Sequence, residues 1–426
     1  MEPLLFLVHR IPFPPNKGDK VRSFHLLQFL ASRYEIHLGT FVDNADDVVH
    51  IPRLQEYCAS FKVAEIRPAL ARIRSLASLM SGEPLTLRYY RDAGLAKWVQ
   101  MVVREKRITK AVVFSSAMAQ YAADDGELRV VVDFVDVDSA KWSQYAQSRP
   151  WPLSAIYKRE GARLLDFERA VALRTEASVF VTPAEAQLFR TLAPECASRV
   201  HFAQNGVDTD YFSPAHDLPN PFPPDEDAIV FTGAMDYWPN VDAVAWFAQE
   251  SFPAIVAAHP RARFYIVGIH PTPAVLALAK DPRIVVTGRV PDVRPYLQHA
   301  RVVVAPLRVA RGIQNKVLEA MAMARPVVVS ATAAGALSGE SGKEFDVADG
   351  APEFATKTVA LLTGDHGTGL GNAGRKRVLA DYDWTTNLTP FATMLGARGI
   401  SPKVARSETN KIASELETID GARNVG

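Results

Sequence analysis

The sequence predicts an α/β protein built from two doubly wound domains. Three observations carry that reading: an alternation of short apolar runs with helix-like segments, its restart in the second half of the chain, and a proline-dense break between the halves. In the first half the apolar runs are residues 4–8, 36–41, 111–114, 130–132 and 178–181. Short, near-continuous apolar runs spaced widely enough for crossover helices are the pattern of parallel strands buried on both faces. The pattern restarts at 229–232 and continues through 264–267, 284–287, 302–305 and 326–330. With 426 residues, 48% of them hydrophobic, the chain can fill two cores, each in a domain of roughly 150 to 200 residues.

The break spans residues 214–227, where Pro214, Pro219, Pro221, Pro223 and Pro224 exclude both a helix interior and a central strand. It separates an expected first domain at 1–213 from a second at 228–383. Trp384 opens an apolar-periodic segment (Leu388, Phe391, Met394, Leu395), read as a helix over 384–400 that returns to the first domain. Residues 401–426 are polar without a wide apolar face, the composition of a disordered tail.

The first run, Leu4-Leu5-Phe6-Leu7-Val8, stops at His9-Arg10 with no basic leader and no small-residue cleavage site, so it reads as a buried strand and not a signal peptide. No later stretch approaches the roughly 20 apolar residues that cross a bilayer. Cys58 and Cys196 are far apart and fit no metal or redox spacing, which leads to the expectation of a reducing, cytoplasmic location.

Forty-eight basic and 47 acidic residues leave a net charge of +1, so no global field draws the chain to nucleic acid. A local excess lies between Arg53 and Arg107. There Lys62, Arg67, Arg72, Arg74, Arg88, Arg91, Lys97, Arg104 and Lys106 outnumber Glu56, Glu65, Glu83, Asp92 and Glu105. It reads either as solvated helix faces or as a surface resting on the inner face of an anionic membrane, where each basic residue contributes about 1 kcal/mol.

Several patterns mislead. Gly369-Leu370-Gly371-Asn372-Ala373-Gly374 satisfies G-x-G-x-x-G but follows a helix-like run instead of a strand, and reads as a flexible loop before a last helix. Gly339-Glu340-Ser341-Gly342-Lys343-Glu344 is wrongly spaced for a phosphate loop and has Glu344 where a hydroxyl would hold magnesium. Asp136-Val137-Asp138 has the D-x-D form of a divalent-metal site, but a two-domain doubly wound context disfavours that role, and no metal is expected.

The segment from Arg311 through Gly312-Ile313-Gln314-Asn315-Lys316 to Val329 reads as a loop entering a helix and then a buried strand, which points free helix N–H groups at the carboxyl edge of the sheet. Lys316 and Glu319 are three apart on one helical face, one cationic for phosphate and one anionic for hydroxyl groups. From spacing alone the pair is equally a surface ion pair, which contributes little.

These residues resemble a family. Val317-Leu318-Glu319-Ala320-Met321-Ala322 with Arg325-Pro326-Val327-Val328 is similar to the donor-site signature of the family-4 glycosyltransferases. Asn205-Gly206-Val207-Asp208 with Phe212 and Pro214 resembles the family's interdomain motif, and Gly288-Arg289-Val290-Pro291-Asp292-Val293 its nucleotide-base region. More narrowly, the segments at 17–27, 133–142, 233–240 and 312–316 resemble the sugar transferases associated with exosortase exopolysaccharide systems. The resemblance implies the GT-B arrangement, two Rossmann-like domains facing each other across a cleft. It also implies retaining transfer from a nucleotide-sugar, itself the substrate with no further cofactor, to a glycan acceptor expected to be polyprenyl-linked.

On that resemblance Glu319 binds the ribose, and Gly312, Ile313, Gln314, Asn315 and Gly233 line the donor, with Lys316 and, as a reading of this chain's own residues, Arg311 at the phosphates. Gly18 and Asp19 supply the first loop near the reacting centre, where Gly18 is equally read as a turn residue; Asp136 stands where the family often has a histidine and reads either as orienting an acceptor hydroxyl or as an Asx turn or helix cap. Two departures stand out. Arg311 occupies the place of a glutamate eight residues before Glu319, and residues 233–241 lack the family's phosphate-binding Arg and Lys. Arg311 with Lys316 would then supply the missing positive charge. Two other functions stay open at this point: a GT-B nucleotide-sugar epimerase, and a non-catalytic subunit of a polysaccharide assembly complex.

Overall fold

The structure is a computed structural model that describes residues 1–15, 18–123, 126–147, 149–310, 312–364 and 366–396. The chain forms two compact units. The first contains Met1–Gln204 together with the segment that starts at Asn387, and the second contains Asn205–Thr386.

The first unit is a seven-stranded sheet of β1 (Glu2–Val8), β2 (Tyr34–Val42), β3 (Ser60–Glu65), β4 (Lys110–Phe114), β5 (Arg129–Val135), β6 (Ala177–Phe180) and β7 (Val200–Phe202), in the order β3-β2-β1-β4-β5-β6-β7. Every pairing is parallel. Leu4 to Val8 are fully buried, as expected of a central strand covered by helices on both faces.

The second unit has six strands: β8 (Asp227–Thr232), β9 (Ala262–Val267), β10 (Ile284–Gly288), β11 (Val302–Ala305), β12 (Val327–Ser330) and β13 (Asp346–Ala348), in the order β10-β9-β8-β11-β12-β13 and again all parallel. In both sheets the order reverses beside the first strand, between β1 and β4 and between β8 and β11. Crossovers leave in opposite directions at such a point and open a crevice at the carboxyl ends of the strands.

The proline-dense segment packs within the second unit. Phe222 is buried there with its ring 4.6 Å from that of Tyr265, and Gln298 and His299 donate to the carbonyls of Pro214 and Leu218 at 3.2 and 2.8 Å.

The expected loop at 369–374 is corrected: these residues lie inside helix His366–Asp381. Its glycines serve close packing. A Cβ on Gly371 would lie 2.2 Å from the Ala324 carbonyl oxygen, and one on Gly374 would lie 2.8 Å from that of Glu344. The tail at 401–426, the end of the 384–400 segment, Lys17 and Arg311 lie outside the described residues.

Candidate functional site

In the second unit the carboxyl edge is shaped by glycine. Gly233 follows β8 and donates its N–H to Val267 at 3.0 Å, and Gly268 follows β9. A Cβ on Gly268 would sit 1.7 Å from the carbonyl oxygen of Gly233, an impossible contact, so the two turns approach this closely only with glycine at 268. A Cβ on Gly233 would itself lie 2.8 Å from Asn240 Nδ2 and 3.0 Å from Lys316 Nζ.

Lys316 reaches this edge from helix Asn315–Ala322. The preceding turn uses Gly312 in a left-handed conformation (φ 62°), and Gln314 takes the N-cap position. The helix buries Val317, Leu318, Ala320 and Met321, which fixes its rotation and leaves Lys316 and Glu319 half-buried on the other side. Lys316 Nζ donates to Asn240 Oδ1 at 2.6 Å and stands 4.2 Å from the centroid of the Phe231 ring. Asn240 is itself buried and donates through Nδ2 to the carbonyl of Ala234 at 2.8 Å, which fixes its amide so that the oxygen faces the ammonium.

The partner of Lys316 is thus a neutral amide, and its charge is poorly solvated. Burial brings the Lys316 pKa down to about 7, against the opposing pull of the Glu319 charge. Burial likewise brings Glu319 up to about 7, with Lys316 opposing. A phosphate oxygen arriving at Lys316 would give the ammonium a directly bonded anion, beside the free N–H groups of a helix N-terminus.

Around Glu319 the same unit places Tyr211 and Arg294. The Arg294 guanidinium lies 3.8 Å over the Tyr211 ring and is held by Asp292 at 2.7 and 2.8 Å. Burial pushes the Tyr211 phenol up to about 12, and the charges of Asp292 and Glu319 add to that shift. Asn205 donates to Asn315 Oδ1 at 3.2 Å, tying the motif at 205–208 to the start of the helix. Lys316 therefore stands beside Gly233, with Asn315 and Glu319 on the same helix and Gly312 and Gln314 in the turn before it. Ile313 turns its side chain into the hydrophobic core, so it can meet a ligand through its main chain alone.

Gly18, Asp19 and Asp136 belong to the first unit. Gly18 opens helix Gly18–Ala31 and is exposed. Asp19 is tied to Arg10 at 2.6 Å and lies 3.3 Å from His9 Nε2, while Arg10 also binds Asp43 at 2.9 Å. Burial works against the Asp19 charge, but the His9 hydrogen bond and the Arg10 cation outweigh it and hold the carboxyl well below its usual range. Asp136 pairs with Lys141 at 2.8 Å, and Asp138 meets the same ammonium at 3.2 Å. The D-x-D carboxylates thus clamp a lysine.

Sequence reasoning missed Asn240, Phe231, Tyr211 and Arg294 in the second unit, and His9 and Arg10 in the first. The first-unit pair sits directly after β1, at the strand-order reversal, with the His9 ring stacked 5.7 Å from that of Phe114 at the end of β4. The position after the first strand of a doubly wound sheet was signal enough to find it. Asn240 closes the segment 233–240 that the resemblance singled out, but nothing local in the sequence signals its pairing with Lys316.

The fold is that of the GT-B class: two parallel, doubly wound α/β units. Residues 226–364 match the family model of glycosyl transferases group 1, and this stretch contains Asn240, Lys316 and Glu319. Across the whole chain the likeness is structural. HepE of Anabaena, solved in complex with UDP, superposes with a TM-score of 0.64 at 13% identity, over 93% of this chain and 100% of that one. Sucrose-phosphate synthase from Thermosynechococcus elongatus gives 0.67 at 15% identity, over 92% and 98%. WaaG, a glycosyltransferase involved in lipopolysaccharide biosynthesis, gives 0.62 at 14% identity, over 92% and 100%. No curated protein sequence matches the chain.

Proposed function

We propose that the protein is a retaining glycosyltransferase of family-4 type that takes a nucleotide-sugar donor and extends a lipid-linked glycan in exopolysaccharide assembly. The observation that carries the donor half is Lys316. It is a half-buried ammonium at the strand-order reversal of the second unit, held by the neutral Asn240 beside the close glycine turn at Gly233. Lys316 with the N-terminus of its helix receives the diphosphate, and Glu319 accepts hydrogen bonds from the ribose hydroxyls. In the reaction the bond from the sugar's anomeric carbon to the diphosphate oxygen breaks, and a bond from the acceptor oxygen forms on the same face. The acceptor proton passes to the departing diphosphate, and the charge growing there is what positioned cations stabilise. Arg311 joins Lys316 in that task, and Asp136 orients the acceptor hydroxyl. No metal takes part in this scheme.

UDP-sugars are the first donors to test, because the HepE structure holds UDP. The test is thermal stabilisation by UDP-, GDP-, ADP- and dTDP-sugars, followed by product analysis with the donor that binds. A shift with one nucleotide that Lys316→Met abolishes and Glu319→Gln weakens, and a product with the donor's anomeric configuration, is the expected result. Tight binding with epimerised donor and no transfer would identify an epimerase. No shift with any of the four would turn the assignment toward a non-catalytic subunit.

A further inference from the structure

An amphipathic helix normally turns its large apolar residues inward. Residues 68–81 of the first unit do the reverse. Helices Pro68–Leu76 and Ser78–Ser81 bury Ala71, Ser75 and Ser78 against the protein. Leu70, Ile73, Leu76, Leu79 and Met80 are exposed, with Ile73 at 67% and Met80 at 95%. Among the described residues seventeen large hydrophobic side chains are exposed, and five of them fall in this short stretch. The ridge is fastened to the body of the unit. Arg159, on helix Leu153–Arg174, donates to the Ser78 carbonyl at 2.7 Å, and Arg74 donates to that of Arg91 at 3.0 Å. An apolar ridge kept in water by a rigid scaffold marks a surface that another phase or molecule covers.

The charge around the ridge says which. From Arg67 to Arg91 the chain has five arginines (Arg67, Arg72, Arg74, Arg88, Arg91) and one acidic residue, Glu83, which pairs with Arg91. Of the flanking acids, Glu65 faces Arg67 at 3.6 Å and Asp92 caps the next helix through the Leu95 N–H. Exposed leucine, isoleucine and methionine side chains with arginines beside them match a bilayer interface, where the apolar groups enter the acyl boundary and the guanidinium groups meet lipid phosphates.

We propose that residues 67–80 form a docking ridge that seats the first unit on an anionic phospholipid bilayer. The ridge serves the lipid-linked acceptor proposed above, but its physical argument and its test are independent of sugar transfer.

The test is co-sedimentation of the full chain with vesicles of phosphatidylcholine alone and of phosphatidylcholine mixed with phosphatidylglycerol. The expected result is binding to the mixed vesicles, weakened by salt, and little binding to phosphatidylcholine. Ile73→Glu with Met80→Glu, and separately Arg67→Glu with Arg72→Glu, should each lower the bound fraction at least about tenfold. All four side chains are exposed, so the variants should keep the wild-type melting temperature and nucleotide binding. Wild-type protein that ignores the mixed vesicles, or binding that survives both pairs of substitutions, overturns the proposal. Concentration-dependent self-association abolished by Ile73→Glu, without vesicle binding, would likewise overturn it and make the ridge a subunit interface. Vesicle binding with no nucleotide binding would instead leave the ridge standing and remove the transferase reading.

Discussion

The two units share one topology and handle charge at their carboxyl edges in opposite ways. In the first unit the charged groups near that edge pair with one another: Arg10 with Asp19 and Asp43, Lys20 with Asp47, Arg22 with Asp133, and Lys141 with Asp136 and Asp138. In the second unit Lys316 has an amide for a partner, and burial has weakened its hold on the proton. Charges neutralised by the fold itself serve the fold first, although Asp136 keeps one carboxylate oxygen without a hydrogen-bond partner for an incoming hydroxyl. A cation whose hydrogen-bonded partner is a neutral amide, with Glu319 as the nearby charge, has room for a directly bonded anion from a ligand.

The largest expected effect tests the glycine contact that shapes the second edge. Gly268→Ala places a methyl group 1.7 Å from the Gly233 carbonyl oxygen, and the backbone shift should cost at least about 3 kcal/mol. Urea denaturation measures it; a stable variant would mean that the close turn is not what shapes the edge around Lys316.

The next pair of substitutions sets the two units against each other. Arg22 and Asp133 are both buried, joined at 2.8 Å, with Arg22 also donating to the Ala203 carbonyl. Arg22→Met strands the carboxylate and should cost about 3–5 kcal/mol. Lys316→Met removes a cation that burial disfavours, and Glu319, already raised to about 7 by burial, can take up a proton once the lysine charge is gone, so stability should stay within about 1 kcal/mol of wild type while nucleotide binding is lost. Equal destabilisation by both would erase the distinction between structural and ligand-binding charge.

The sequence carried the interior of both sheets and little of their rims. All ten apolar runs became strands, for example 302–305 as Val302–Ala305 and 36–41 within Tyr34–Val42, because central parallel strands are buried on both faces and read as unbroken apolar runs. β3, β7 and β13 were not foreseen. They lie at sheet edges, are three to six residues long and are part exposed, as Lys62 and Glu65 in β3 show, so no apolar run marks them. The helix at 366–381 was hidden by glycines whose reason is the close approach of the Ala324 carbonyl, a long-range contact that local propensity cannot encode. At the site, Lys316 and Glu319 were legible from their spacing and their resemblance to a known motif. Asn240 was not, since what matters about it is a contact across 76 positions of chain.

Asn240 therefore gives a sharper test than either charged residue. Asn240→Leu removes the oxygen that receives Lys316 and should lower the lysine's pKa further. Nucleotide affinity should fall about tenfold at pH 8, where the lysine would be largely neutral, and less at pH 6, where the incoming diphosphate can still find it protonated. A uniform loss at both pH values would mean that Asn240 shapes the pocket without tuning the proton.

The smallest expected effect is in the wild-type protein and depends on the sign of one shift. The ordinary lysine value is 10.5, and folding brings Lys316 to about 7, so between these the unfolded chain holds the extra proton and this residue makes stability rise with pH. Nucleotide binding runs the other way. A bound diphosphate favours the ammonium, so above about pH 7 the complex holds more protons than the free protein, and affinity should decline with pH by up to about tenfold per unit. Glu319 titrates in the same region, raised to about 7, and would limit affinity on the acid side if the ribose needs its carboxylate. Glu319→Gln removes that limb and leaves the lysine's. Calorimetry at pH 8 in two buffers of different ionisation enthalpy should show net proton uptake in wild type and in Glu319→Gln. Proton release, or none, would mean that Lys316 is already charged before the nucleotide arrives, and that the neutral amide beside it does not prepare the site for an anion.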